Sequence, residues 1–313
     1  MSSDPQPDHP GTSVATDGPS PSWRDWLAGA RPRTLPAAVV PVAVGAGCAV
    51  GVSGVSLGGV TWWRVALALL VSLLLQVGVN YANDYSDGVR GTDDVRVGPL
   101  RLVAGGRASP AAVKRAALAT FLAAAVAGLV LAIATSWWLL LVGALAIVAA
   151  WGYTGGPKPY GYLGLGELFV FVFFGLVATV GTTYVAIVDV PAVTWIAATG
   201  VGFLACALLV INNLRDIPTD REVGKRTLAV RLGDGRTRWF YTGLVAGAVA
   251  CAGLAAFDRP WAALGAGSLV LALSPVRRVR SGAVGADLIP VLGETGRLQL
   301  VYGLLLAVGL SIG

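Results

Sequence analysis

The stretch NYANDYSDGVRGTDD, beginning at Asn80, holds four aspartates and two asparagines, and a second acidic stretch, VINNLRDIPTDREVGKRTLAVRLG, begins at Val210. Asn80, Asp84 and Asp87 recur at i, i+4 and i+7, and Asn212, Asp216 and Asp220 at i, i+4 and i+8. On a helix each trio shares one stripe; Pro218 is expected to kink the second helix, because it removes a backbone donor. Like charges at these spacings repel, and near lipid the cost rises to several kcal/mol unless a cation compensates. Carboxylate and amide oxygens without His or Cys favour a hard ion such as Mg2+, which takes one or two carboxylates plus water and substrate phosphates.

Basic residues follow each cluster. Arg90, Arg96, Arg101 and Arg107 come after the first, and Arg215, Arg221, Lys225, Arg226 and Arg231 surround the second. Carboxylates that hold Mg2+, flanked by Arg and Lys, describe a diphosphate site. GKRT at Gly224 is not a nucleotide-binding P-loop, since Thr219 stands where its first glycine belongs and no strand precedes it. The only histidine, His9, lies in a Pro, Ser, Gly and Asp-rich opening stretch, which argues against histidine catalysis or ligation. Cys48, Cys206 and Cys251 fall in apolar runs with no CxxC pair, and are expected to serve packing.

The elements that must carry these clusters are membrane spans. With 55% hydrophobic and 13% charged residues, the chain has too little polar surface for a soluble domain. A spanning helix needs roughly 20 apolar residues to cross about 30 Å of hydrocarbon. Nine segments are expected to do so: 35–52, 65–83, 111–135, 137–153, 165–188, 192–213, 239–257, 261–276 and 289–312. Tryptophans 62, 63, 137, 138, 151, 195, 239 and 261 sit near their ends, as an interfacial belt requires. Residues 1–22 are expected to form a disordered cytoplasmic tail without the apolar block of a secretory signal, leaving 23–313 as the transmembrane domain.

If the amino terminus is cytoplasmic, only Arg64 and Arg259 of the 23 Lys and Arg fall on the outer side, a bias that fixes orientation. Four spans separate the two acidic clusters, so both emerge at the cytoplasmic face, one from each of two weakly related halves. In a soluble protein the net charge of +6 would suggest a nucleic-acid partner; here it is a topology signal, and no nucleic acid is expected. A diphosphate held at the mouth of an apolar bundle suggests a substrate with its tail in lipid, as in a polyprenyl diphosphate. Ionising an allylic C–O bond requires stabilisation of the departing diphosphate by Mg2+, Arg and Lys, and a dry aromatic chamber for the cation left behind. Phe169, Phe171, Phe173, Phe174 and Tyr184 are candidates for that lining.

These residues resemble the UbiA superfamily of intramembrane aromatic prenyltransferases, whose marks are an NDxxDxxxD-type motif and a DxxxD motif on a nine-helix bundle. Here the first reads NDYSDGVRG from Asn83 and the second DIPTD from Asp216. Gly91 stands where the third aspartate is expected, and Asp93 is the candidate to replace it. Within the superfamily, ARPRTLPAAVVPV at Ala30, NDYSDGVRGTDD, YTGGPKPYGYLGLGELFVFVFFG at Tyr153, NNLRDIPTDREVGKRTLAVRLG and IPVLGETGRLQLVYGLL at Ile289 are similar to the branch that prenylates 1,4-dihydroxy-2-naphthoate.

The resemblance implies an all-α bundle of nine transmembrane helices in two related halves, using Mg2+. It implies Asp84, Asp87, Asp216 and Asp220 as Mg2+–diphosphate ligands, supported through hydrogen bonds by Asn80, Asn83, Asn212 and Asn213. Tyr153 and Lys158 resemble a Tyr–Lys element directed at the diphosphate. Arg90, Arg101, Arg215, Lys225 and Arg226 would bind that group, Arg31 and Arg33 would meet the acceptor's carboxylate, and Glu167 and Glu294 could orient the acceptor. The implied reaction joins the prenyl group to 1,4-dihydroxy-2-naphthoate with loss of CO2 and diphosphate, in a bacterial plasma membrane. Rival acceptors are 4-hydroxybenzoate and homogentisate. A secondary transporter is the alternative of another class, though it would place ionisable groups near the midplane, where these spans have almost none.

Overall fold

The structure, a computed structural model, describes residues 21–52, 57–92 and 101–312. Every regular element among them is helical. In chain order these are α1 (Trp23–Gly29), α2 (Pro36–Val50), α3 (Trp62–Arg90), α4 (Pro110–Ala134), α5 (Trp138–Gly152) and α6 (Gly166–Ile187). There follow α7 (Ala192–Arg215), the short α8 (Ile217–Glu222) and α9 (Leu228–Leu232), then α10 (Asp234–Ala255), α11 (Pro260–Arg280) and α12 (Gly285–Ile312). The expected tail falls almost wholly outside the described residues. Ser22 already belongs to the fold: with Asp25 it forms the capping box of α1.

Among the described residues, seven helices are long and apolar enough to cross a bilayer, and the pair Trp23–Thr34 and Pro36–Val50, bent by 51°, makes an eighth if taken as one span. The bend has a local cause. Arg31 takes a left-handed backbone (φ 53°), and Pro32 and Pro36 each open a new helical segment, where a missing N–H costs nothing. The ninth expected segment is the apolar α5, whose 15 residues reach only about 22 Å and fall short of the hydrocarbon thickness.

Lipid contact is written on the outside of the bundle. Leu122 is 66% exposed, Val148 68% and Val270 73%, an apolar surface that only a bilayer can satisfy. The chain is a multi-pass membrane protein. Its largest core joins α2, α7, α10, α11 and α12 around buried Tyr241 and Tyr302, whose hydroxyls meet Thr295 Oγ1 and donate to the carbonyl of Ala248, both at 2.8 Å. A second core lies between α3 and α4 around Phe121. The three cysteines are free and buried, as packing residues should be. Seven of the tryptophans expected in the belt are well exposed, whereas Trp151 turns inward against Tyr85, with ring centroids 6.1 Å apart.

The two arginines expected on the outer side, Arg64 and Arg259, are both engaged. Arg64 donates to the carbonyl of Val185 at 3.4 Å. Arg259, 6% exposed, donates through Nη1 to the carbonyls of Cys48 (3.2 Å) and Leu310 (2.8 Å), closing the carboxyl-terminal ends of α2 and α12 with one cation. Arg259→Leu leaves two buried carbonyls unsatisfied, and is expected to cost about 2–4 kcal/mol. Thermal unfolding in detergent checks this.

The two acidic stretches end differently. α3 runs unbroken to Arg90 and stops on Gly91 at φ 68°, a left-handed position that favours glycine. Gly91 thus serves as the stop of α3 and offers no side chain to an ion. Asp93 lies outside the described residues. In the second stretch, α7 ends at Arg215, and Pro218 occupies the first turn of the separate helix α8 rather than kinking a continuous one.

Candidate active site

Asp87 is where the pieces converge. It is 4% exposed, near the end of α3, and its carboxylate accepts a hydrogen bond of 2.6 Å from the Tyr162 hydroxyl at Oδ1. Lys225 Nζ stands 3.5 Å from the same oxygen, Thr92 Oγ1 donates to it at 3.3 Å, and Arg101 Nη2 lies 3.8 Å from Oδ2. Lys225 comes from the second acidic stretch, where its backbone N–H donates to the carbonyl of Asp220 at 2.8 Å. One residue therefore ties the two stretches together: its main chain holds Asp220, and its ammonium reaches Asp87.

Tyr162 is the third piece. It sits in the turn between α5 and α6, where the backbone N–H of Arg226 donates to its carbonyl at 3.0 Å. Its ring lies beneath two cations, with Lys225 Nζ 4.6 Å and the Arg90 guanidinium 5.7 Å from the centroid. Burial and the neighbouring Asp87 carboxylate push the phenol well above its ordinary range, so it remains a donor at neutral pH.

Asp84 stands apart from this group. It is fully buried, and its two oxygens accept the backbone N–H groups of Leu102 (Oδ2, 2.8 Å) and Val103 (Oδ1, 3.0 Å). Asn83 Oδ1 accepts from Thr154 Oγ1 at 2.8 Å, and Arg90 donates to the carbonyls of Thr154 and Gly156, so both brace the 154–156 turn. Asn80 Nδ2 donates to the carbonyl of Ala30 (2.9 Å) and to Thr34 Oγ1 (3.1 Å), fastening α3 to the bend before α2. Arg31 lies in that bend, half-buried, while Arg33 is exposed.

In the second stretch Asp216 is clasped by Arg215, with Nε–Oδ1 2.6 Å and Nη2–Oδ2 2.8 Å. Asp220 is buried, and Thr227 Oγ1 approaches its Oδ2 at 3.5 Å. Asn213 donates to Glu167 Oε1 at 2.9 Å, whereas Asn212 turns back to the carbonyl of Leu208 on its own helix at 3.2 Å. Glu294 pairs with Arg278 at 3.6 Å, away from these contacts. Of the Tyr–Lys element, Tyr153 packs edge-on against Tyr160 (centroids 5.6 Å apart), and Lys158 is exposed. Tyr162 and Lys225, not Tyr153 and Lys158, are the pair at the Asp87 carboxylate. Arg226 has an exposed side chain, and its main chain supplies the contacts described above and below: its N–H to Tyr162, and its carbonyl to Arg231 Nε at 3.2 Å.

The donor set is all oxygen, which suits a hard divalent ion. Among the described residues no three His, Cys, Asp or Glu side chains converge to cage a metal without help. Mg2+ fits such a surface when substrate phosphates and water complete its shell, because it dehydrates reluctantly and takes only one or two carboxylates.

A profile of the UbiA prenyltransferase family matches residues 38–287, which include both acidic stretches and the Tyr162 turn. The chain belongs to the UbiA prenyltransferase family. Over 292 residues it is 51% identical to a Mycobacterium tuberculosis protein named 1,4-dihydroxy-2-naphthoate octaprenyltransferase, covering 93% of this chain and 98% of that one. An Escherichia coli protein of the same name is 40% identical over 244 residues, 73% of this chain and 75% of that one. Among solved structures, a UbiA homolog from Archaeoglobus fulgidus bound to GPP and Mg2+ superposes with a TM-score of 0.63 at 17% identity, covering 90% of this chain and 99% of that one.

For this UbiA-family chain, sequence reasoning found the acidic stretches but passed over Tyr162 and Thr154. Tyr162 lies within a quoted segment, YTGGPKPYGY, yet it has no fixed spacing to a carboxylate, so only the turn's three-dimensional path brings it to Asp87. The backbone amides of Leu102 and Val103 carry no side-chain signature.

Proposed function

We propose that the chain transfers a polyprenyl group from a polyprenyl diphosphate to 1,4-dihydroxy-2-naphthoate, releasing diphosphate and CO2 and giving the hydroquinone form of a demethylmenaquinone. The carrying observation is Lys225, whose contacts to Asp87 and Asp220 close the two acidic mouths on one another. The names of the relatives support the choice of acceptor.

Asp87, Asp216 and Asp220 would hold Mg2+, which when bound shares the negative charge of the diphosphate. Lys225, Arg101 and Arg90 surround the place where that charge grows as the allylic C–O bond breaks and its electron pair leaves with the diphosphate. Arg215 orients Asp216 through its two-pronged contact. From the loop into the bundle runs a line of rings: Tyr160 stacks on Phe169 at 4.0 Å, and Phe169 lies 6.2 Å from Phe173. These faces keep water from the allylic cation while it waits for the acceptor. Arg31, beside the Asn80–Thr34 contact, is the cation for the acceptor's carboxylate. The new C–C bond forms at the ring carbon bearing that carboxylate. The bond to CO2 then breaks and returns its electron pair to the ring, so no external proton or oxidant is needed. The charge bias supports a site on the cytoplasmic side of a bacterial plasma membrane.

The test is direct. Purified protein in lipid nanodiscs, given a labelled polyprenyl diphosphate, 1,4-dihydroxy-2-naphthoate and Mg2+, should release diphosphate and CO2 in equal amounts. It should prefer this acceptor over 4-hydroxybenzoate and homogentisate in competition. Release of diphosphate only with another acceptor would overturn the choice of substrate; transport without release would overturn the reaction. Tyr162→Phe removes a hydrogen bond to a charged group, and is expected to lower kcat/KM roughly tenfold or more. Steady-state kinetics in the same nanodiscs check it, with thermal unfolding unchanged.

A further inference from the structure

The first acidic stretch contains two kinds of aspartate. Asp87 faces cations and a phenol, whereas Asp84, one turn earlier, is 0% exposed and hydrogen-bonded to main chain, with the Arg31 guanidinium within electrostatic range. We propose that Asp84 is a positioning residue and not a metal ligand: its carboxylate folds the 101–108 loop onto α3 and thereby sets Arg101 beside Asp87. The role of Arg101 rests on the proposed prenyl transfer; the bracket itself does not.

Three sets of contacts carry this. Asp84 accepts two backbone N–H groups, one at each oxygen, from consecutive residues, Leu102 and Val103. The loop then closes on itself, with Gly105 N–H donating to the Arg101 carbonyl (3.1 Å), and Arg107 and Ala108 N–H groups donating to the Leu102 carbonyl (2.9 and 3.0 Å). Finally, the loop is seated on glycines. Leu102 is fully buried against Gly29, where an added Cβ would come within 2.6 Å of its Cδ1. Val103 lies on Gly88, where an added Cβ would come within 2.5 Å of its Cγ1. Arg101 directly precedes the bracketed residues, and its Nη2 ends 3.8 Å from Asp87 Oδ2.

The chemistry requires a carboxylate. Two adjacent amides both point hydrogens at the side chain, so it must offer an acceptor on each arm. Asparagine offers one acceptor and one NH2, and the NH2 faces a donor. A residue that must be ionised to hold a loop and a residue that must be ionised to hold an ion look identical in a motif; burial and partners separate them.

The experiment compares Asp84→Asn with Asp87→Asn and Arg101→Ala in the full-length protein in nanodiscs. Amide hydrogen exchange across 101–108 is read without substrate, and KM for the polyprenyl diphosphate and the Mg2+ activation midpoint are read with it. Asp84→Asn should speed exchange at 102–108 and raise KM about tenfold, while the Mg2+ midpoint stays within about twofold. Adding Arg101→Ala to Asp84→Asn should produce little further loss, because both act through one contact. Gly29→Val, which lifts Leu102 and leaves Asp84 intact, should reproduce the exchange and the KM change if Asp84→Asn fails to fold. A shift of the Mg2+ midpoint of about tenfold or more with unchanged loop exchange would overturn the proposal and make Asp84 a ligand. Should the wild type release no diphosphate, the prenyl-transfer reading fails while the exchange measurement still decides the bracket.

Discussion

Asp87→Asn is expected to lower kcat by about a thousandfold or more, with the protein still folded. The Asp87 carboxylate touches three parts of the mouth: Tyr162 from the turn after α5, Arg101 from the loop after α3, and Lys225 from the second acidic stretch. Neutralising it removes the negative charge that an ion bridging to the diphosphate would need, and it loosens three cations and donors at once. Losing a single aimed donor typically costs about a hundred- to a thousandfold in kcat, so losing the hub sets that as a lower limit.

Folding should survive for a physical reason. Stranding a charge in a protein interior costs about 3–5 kcal/mol, but the partners of Asp87 are not deeply trapped. The Lys225 and Arg101 side chains are 12% and 10% exposed, and can swing toward water. Asparagine keeps the shape and can still accept from Tyr162. Single-turnover rates, alongside unfolding midpoints within a few degrees of the wild type, check both halves of this expectation.

Lys225→Met carries the second largest effect. Methionine keeps the aliphatic stem lying over the Tyr162 ring but removes the ammonium that stands 4.6 Å from its centroid and 3.5 Å from Asp87. A fall in kcat/KM of about a hundredfold is expected, expressed in both kcat and KM for the polyprenyl diphosphate, because the charge serves binding and departure of the same group. Lys225→Arg should recover part of the loss. Its guanidinium can also pair with phosphate oxygens and lie on the Tyr162 ring, though its planar fork does not reproduce a point charge. Equal activity in the Met and Arg variants would mean that the cation has no part in the chemistry.

The sequence was most informative where periodicity and composition do the positioning. Spans follow from apolar length, and the helices carrying Asn80–Asp87 and Asn212–Arg215 emerge where the apolar runs stop. α3 continues as a helix through Arg90, so its stripe of polar residues is real. The second stripe breaks at Asp216, because a new helix, with Pro218 in its first turn, begins at Ile217. α5 was legible as apolar but not as short, since an interfacial Trp137–Trp138 at one end and a Tyr153 at the other read like the bounds of a full crossing.

Within the site, motif spacing identified carboxylates but could not assign their work. Asp84 and Asp87 both fit the pattern; only the path of the 101–108 loop shows that one faces amides and the other cations. Lys158 and Arg33 read as site cations from their neighbours in sequence and lie exposed in space, while Lys225, one of many basic residues in its stretch, proves to be the link. Tyr162 was hidden for the opposite reason. Its partner lies 75 positions away in the chain, and no local pattern encodes that distance.

The most direct test is a structure of the wild-type protein crystallised with Mn2+ and an unreactive thio-analogue of a polyprenyl diphosphate, with the ions located by anomalous scattering. Manganese should sit within direct coordination distance, roughly 2 Å, of Asp87 on one side and of Asp216 or Asp220 on the other, with the diphosphate between them and Lys225 against it. Ions bound to only one acidic stretch, or a diphosphate lodged away from Lys225, would contradict the claim that the two mouths grip a single leaving group.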